Sequence, residues 1–156
     1  MIETNDLMEV VTAVLTERGL KWVVVNDESV IVRMRDEHAT YDIFIVANPQ
    51  ARMVWCYCIY SARVPVDRRA AVVELLNLVN WRAGIGNFEL DVSDGEVRFR
   101  VSVDVEGGEL APKMMHTMFN AAMYNGGRYH DTAMRVAFGD AEPAAALTAL
   151  LESEAK

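Results

Sequence analysis

The stretch from Val64 to Val105, VPVDRRAAVVELLNLVNWRAGIGNFELDVSDGEVRFRVSVDV, constrains the fold more than any other part of the chain. Its second half alternates apolar and charged residues on either side of Asp94-Gly95. That dipeptide is favoured in a two-residue type I′ turn, where both central residues take positive φ and the turn twist matches that of the strands. With Ser93 and Glu96 flanking the turn, Val92 faces Val97, Leu90 faces Phe99 and Phe88 faces Val101. The opposite face joins Asp91 to Arg98 and Glu89 to Arg100, each pair stabilising by roughly 0.2–1 kcal/mol. A slip of one residue would turn those charges into the core. One face is thus buried and the other wet, the pattern of an antiparallel sheet covered on one side.

The first half of the same stretch is helical. Pro65 suits the first helical position and Asp67 complements the helix dipole. Val72, Leu75, Leu76, Val79 and Ala83 form a core stripe that ends near Gly84, while Val66, Ala70, Val73, Asn77 and Asn80 form a second stripe that turns polar halfway along. Asn77 and Asn80 are expected to bond to neighbouring backbone or to face water rather than to read a ligand. Trp81 is expected to pack at the helix end.

The run ELLNLVNWRAGIGNFELDVSDGEVRFRVSVDVEGGEL resembles the YbjN family of small bacterial proteins described as sensory transduction regulators. The likeness extends from about Met8 to Gly139. It implies a fold similar to that of type III secretion chaperones. The family offers no motif of catalytic residues to transfer to positions in this chain.

Outside that stretch, the chain opens with a helix from about Asn5 to Arg18, whose Leu7, Val10, Val11, Val14 and Leu15 make one apolar stripe. Gly19 stops it in a Schellman cap, with Leu20 folding back onto Leu15. Leu20 to Val25, Val30 to Arg35, Ala39 to Ala47 and Arg52 to about Val64 read as strands joined by short turns, hence an antiparallel meander. The fourth, RMVWCYCIYSARV, shows little polar alternation, so both its faces need cover. A second subunit would supply what one layer of helices cannot.

After Gly107-Gly108, Pro112 opens a third helix in which Met114, Met115, Met118, Met123 and Tyr124 belong to an apolar surface that leaves only a narrow polar strip. Such a helix must be buried on more than one side. Methionine is unbranched and polarizable, so the cluster reads either as core filler or as an adaptable interface made of those five residues. Two adjacent glycines cost about 1 kcal/mol each inside a helix, so Gly126-Gly127 predicts a kink or break. Helical spacing resumes from Tyr129 to Phe138, and Pro143 begins a short alanine-rich helix whose docking the residues leave open. The expected fold is α+β: about six antiparallel strands in the order α-β4-α-β2-α-α. The chain is expected to be one domain, 1–156, with 140–156 a helical tail.

Composition narrows the function classes. With 156 residues, 52% of them hydrophobic, the chain can bury a sizeable core. A net charge of −8 repels nucleic acid and anionic membranes, and neither is an expected partner. No apolar run spans a bilayer and the acidic start lacks a signal peptide's positive charge, so the expected location is the cytoplasm. Cys56 and Cys58 lie on one face of a strand as reduced thiols, and His38, His116 and His130 lack metal-ligand spacing. Glu89 and Asp91 face arginines, Gly126-Gly127-Arg128 is no phosphate loop, and no nucleophile elbow occurs. No catalytic, metal or cofactor-binding residue is nominated. The expected function is a non-catalytic protein-binding or chaperone-like regulatory module, a homodimer that holds a basic or apolar segment of a partner. A small-molecule sensor with a pocket between sheet and helices, and a purely structural dimer, are the alternatives.

Overall fold

The computed structural model describes residues 6–156; Asn5, where the sequence starts the first helix, lies outside them. The elements are α1 (Leu7–Glu17), β1 (Val23–Asn26), β2 (Ser29–Arg35), β3 (Thr40–Asn48), β4 (Met53–Arg63), α2 (Arg69–Asn80), β5 (Asn87–Leu90), β6 (Glu96–Asp104), α3 (Pro112–Phe138) and α4 (Pro143–Glu154). The strands form one antiparallel sheet in the order β1-β2-β3-β4-β6-β5. The helices cover one face of it, so the fold is α+β as the sequence implies.

The first helix ends as its sequence predicts. Asp6 caps its start by accepting from Met8 N (2.8 Å) and Glu9 N (3.2 Å). Gly19 takes φ +66°. Leu20 N donates to Leu15 O at 3.0 Å and Gly19 N to Thr16 O at 2.9 Å, the paired bonds of a Schellman cap. Pro65 does not open α2 directly; a short 3-10 turn, Val66–Arg68, comes between.

The hairpin keeps its faces but not its turn. Phe88 pairs with Phe99, Glu89 with Arg98 and Leu90 with Val97, so each partner moves by two positions from the two-residue-turn register. The connection is a four-residue loop, Val92 to Gly95, closed by Asp91 N to Glu96 O at 2.9 Å and Gly95 N to Asp91 O at 2.7 Å. Two local contacts favour it. Asp91 accepts from both Ser93 N (2.8 Å) and Ser93 Oγ (2.6 Å), and Val64 N donates to Gly95 O at 2.9 Å. A side chain on Gly95 would strike the Val64 carbonyl. Side chains alternate with period two, so a shift by two leaves Phe88, Phe99 and Val97 inside. Val92, left in the loop, is exposed.

The predicted break at Gly126-Gly127 does not occur: α3 runs unbroken for 27 residues. The glycines are there for proximity. A Cβ on Gly126 would overlap the Cys58 thiol, and one on Gly127 would come to 2.9 Å from Asp36 Oδ2. The absent side chains let α3 settle against β4, where Tyr60 donates its hydroxyl to Gly126 O at 2.7 Å. The apolar circumference of α3 is met by the chain's own elements, because the sheet, α1, α2 and α4 all pack on it. Trp81 also departs from expectation. It is 91% exposed, because the helix ends at Asn80 and the chain turns away from the core. Asn80 itself bonds to backbone as expected, donating to Phe88 O at 3.0 Å and accepting from Phe88 N at 2.7 Å.

The doubly apolar β4 has Val54, Cys56, Cys58 and Tyr60 in the core. Its other side is half-buried without a covering layer. Phe44 stacks on Tyr57 with centroids 6.3 Å apart, and the Arg98 guanidinium lies 4.6 Å over the Tyr57 ring. Arg33–Asp42 and Glu89 with Arg98 and Arg100 flank this aromatic centre.

The β2–β3 connection is tied to α3 by charge. Asp131 lies 2.9 Å from His38 Nδ1 through one oxygen and 3.0 Å from His130 Nδ1 through the other. The hydrogen bond to His130, with that to His38, holds the Asp131 carboxyl below the usual range. The bond to Asp131 raises His38.

Gly126→Ala should lower stability by about 1–3 kcal/mol through overpacking, net of its helix-propensity gain. Gly127→Ala should cost less, since its neighbour is the end of an exposed side chain, and urea unfolding midpoints of the two variants make the comparison. The histidine contact should give a pH signature. A raised His38 contributes stability that is complete below its ordinary value of 6.5 and lost as pH climbs through its folded value. A lowered Asp131 contributes stability present above 3.8 and lost as pH falls below that. Melting temperature against pH should therefore decline through the neutral range less steeply in His38→Gln than in the parent chain.

Candidate functional site: the trough beside the long helix

Strand β6 is nine residues long and its outer neighbour β5 only four. The pairing covers Val97 to Arg100 and stops. Beyond it, no strand among the described residues occupies the outer lane beside Val101 to Asp104. The orientation of the backbone there can be worked out. Val105 N donates to Arg52 O across to β4 at 2.9 Å, so odd-numbered residues of β6 bond toward β4. The Arg100 carbonyl points the other way, toward Gly86 at the start of β5. Ser102, two residues on, therefore turns its N–H and C=O into the vacant lane.

Under that lane lies an apolar groove of about 430 Å³. Val101 and Val103 of β6 form one wall, Met114, Thr117 and Met118 of α3 the other, and Ile85 from the α2–β5 loop closes one end. At Ile85 and Thr117 it runs into a more polar depression lined by Asn120, Tyr124, Asn125 and Tyr129. Together they make a trough along α3. The charged residues lining it are Lys113 at one end and Arg82 and Arg128 at the other, with no carboxylate among the lining residues. Arg128 is held by Glu154 of α4, with Nε to Oε1 at 2.8 Å, and that bond raises its pKa.

The five residues singled out on the third helix are divided by the structure. Met115 and Met118 are buried, Met118 forming part of the groove floor. Met114 is half-buried in the groove wall. Tyr124, 65% exposed, stands at the polar end. Met123 is half-buried and packs against the core away from the trough lining. Val101, Val103, Ile85 and Thr117 were not anticipated. Their signal is the unequal length of the hairpin arms, since Gly86 and Asp91 bound a short β5 while β6 keeps alternating to Asp104.

The other chemistry-bearing residues are in quiet surroundings. Burial pushes the Cys58 thiol up to about 12 and Cys56 further in the same direction, so neither is a nucleophile at neutral pH. Among the described residues no three His, Cys, Asp or Glu side chains gather to hold a metal. No described helix is long and apolar enough to cross a membrane.

Three solved structures share this architecture. An uncharacterized protein from Methanothermobacter thermautotrophicus matches with a TM-score of 0.56 at 14% identity, over 83% of this chain and 98% of that one. The ExsC–ExsE complex matches with a TM-score of 0.56 at 10% identity, over 79% of this chain and 90% of that one. YbjN from E. coli, described as a "putative transcription regulator", matches with a TM-score of 0.54 at 12% identity, over 86% of this chain and 92% of that one. At such identities the likeness speaks for the fold alone. No curated protein matches the chain. The family model of YbjN, described as "Putative bacterial sensory transduction regulator", matches residues 8–141, everything from α1 to the approach of α4, and the chain belongs to that family.

Proposed function

We propose that this chain is a non-catalytic, cytoplasmic binding module, working as a homodimer, that holds an extended apolar segment of another protein in the trough beside α3. The observation that carries this reading is the coincidence of a vacant strand lane with an apolar floor. Ser102 offers a donor and an acceptor to a new strand, and alternate side chains of that strand would drop between Val103, Met114 and Met118. Main-chain bonds would supply part of the affinity, and the fit of alternate side chains the specificity. Local charge refines the partner. The chain carries −8 overall, a field that salt screens beyond about 10 Å, so the charges at the trough itself decide what it seats. The trough lining itself holds Arg82 and Lys113, so the segment seated there is apolar with acidic flanks. The ExsC–ExsE structure, a protein complex on the same fold, supports protein capture by analogy. The whole length from 1 to 156 works as one unit in this reading, with α4 seated on α2 and α3.

A second reading has support from the groove's size. About 430 Å³ falls within the roughly 300–1,000 Å³ typical of small-molecule pockets, and its lining is almost wholly apolar. Native mass spectrometry of protein purified from its own host separates the two: a stoichiometric bound metabolite would favour a sensor.

The test of the main reading is titration of isotope-labelled protein with a synthetic peptide of alternating valine and threonine flanked by glutamates. The Ser102 amide should shift and gain protection from exchange, while Val103, already bonded to β4, should shift only. Thr117→Arg, an exposed substitution that fills the trough, should weaken binding by roughly tenfold or more while leaving the fold intact. Shifts elsewhere, or equal affinity for the variant, would remove the trough from the account.

A further inference from the structure

The two edges of the sheet are finished differently. Along β5, Arg98 and Arg100 pair with Glu89 and Asn87, so the main-chain groups of Phe88 face outward. The Asn80 carboxamide meets both of them and blocks that edge at Phe88. Along β1 no described residue plays this part.

The orientation of β1 follows from its neighbours. Ala47 N donates to Glu28 O at 2.8 Å and Asp36 N to Ala39 O at 3.0 Å, so even-numbered residues of β2 bond to β3 and odd-numbered ones to β1. Val23, opposite Ile31, is therefore bonded inward, and Val24, opposite Val30, turns its N–H and C=O outward. The side chains there are unsheltered as well. Val23, Val24 and Val25 are 69%, 65% and 50% exposed, apolar on both faces of an open edge. An edge of this kind ordinarily carries a charge, a proline or a cover, because it is a template for pairing. The valine run has none.

We infer that β1 is the self-association edge, pairing antiparallel with β1 of a second copy about a twofold axis at Val24. This rests on the homodimer reading above and names its surface. With Val24 opposite Val24 of the second copy, the outward N–H and C=O of each meet in a hydrogen-bonded pair. Val23 then lies beside Val25 of the second copy on one face, and the two Val24 side chains meet on the other. The flanks match by charge: Lys21 lies just before the strand and Asp27 in the turn just after its bulged end, so an antiparallel second copy brings the Lys21 end of each strand to the Asp27 end of the other. Both are exposed, and neither has an ion pair among the described residues. An occupant with this chain's own sequence satisfies the edge, which is the argument for a second copy over an unrelated strand. The aromatic centre of the open sheet face competes less well, because Phe44, Tyr57 and Arg98 already shelter one another.

Sedimentation of the full chain at micromolar concentration tests this. The parent should sediment as a dimer, with the Val24 amide protected from exchange and losing that protection on dilution. Val24→Pro removes a donor that the β1–β2 ladder does not use, and should raise the dissociation constant roughly tenfold or more. Val24→Lys keeps the backbone donor but places like charges at the axis, and should do the same if the proline variant folds poorly. Lys21→Asp should weaken the dimer and Lys21→Asp with Asp27→Lys restore it. A parent that stays monomeric overturns both the homodimer reading and this edge. A dimer that persists unchanged in folded Val24→Pro and Val24→Lys overturns the edge alone.

Discussion

The approach of α3 to β4 at Gly126 sets the geometry of the whole layer. Without a side chain at that position the helix backbone lies against Cys58, and the Tyr60 hydroxyl reaches Gly126 O from the sheet. A helix of 27 residues is about 40 Å long, enough to cross the sheet and pass its margin. Its central turns are clamped between sheet and helices. Its first turns run out beneath the end of β6, where β5 has stopped and no other described strand takes its place. The trough is the consequence: a long helix held close at its middle and left partly unroofed at its start.

That arrangement also explains which parts of the fold could be read from residues. Local rules worked where the decisive contacts were local. Asp6, Gly19 and Leu20 make the start and stop of α1 with partners within five residues. The inward face of the hairpin survived a wrong turn length because alternation fixes parity, not register. The turn itself depended on Val64, some thirty residues from Gly95, and on Ser93 competing for Asp91. Propensity for Asp-Gly could not see either one.

Gly126-Gly127 is the sharper instance. Glycine in a helix has two meanings, weak propensity and close approach, and a sequence displays only the first. The second needs Cys58, sixty-eight positions away, to be known as the neighbour. The methionines of α3 were ambiguous for the same reason. Their apolar circumference could be matched by a second subunit or by α1, α2 and α4, and the chain's own helices take most of it. Met114 and Met118 retain a share in the trough because the cover there is a strand edge rather than a helix.

Within the sheet itself, the exposed large apolar side chains are those of a margin, Val23, Val24 and Val25. A sheet has two edges, and a half-length strand adds part of a third. The Asn80 carboxamide blocks one at Phe88, at the cost of fixing a polar side chain in a single orientation. The lane beside Ser102 stays open over an apolar floor, and the β1 lane stays open with valines on both faces. These two differ in what would complete them. The β1 lane is flanked by Lys21 and Asp27, one charge of each sign, which an antiparallel copy of the same strand satisfies and which an all-acidic or all-basic strand does not. The lane beside Ser102 is bordered by Arg82 and Lys113, one sign only, which a second copy of β1 would match at one end and oppose at the other. Self-pairing at β1 would leave the lane beside Ser102 free, since the two lie at opposite edges of the sheet. The same backbone chemistry would then serve assembly at one margin and capture at the other.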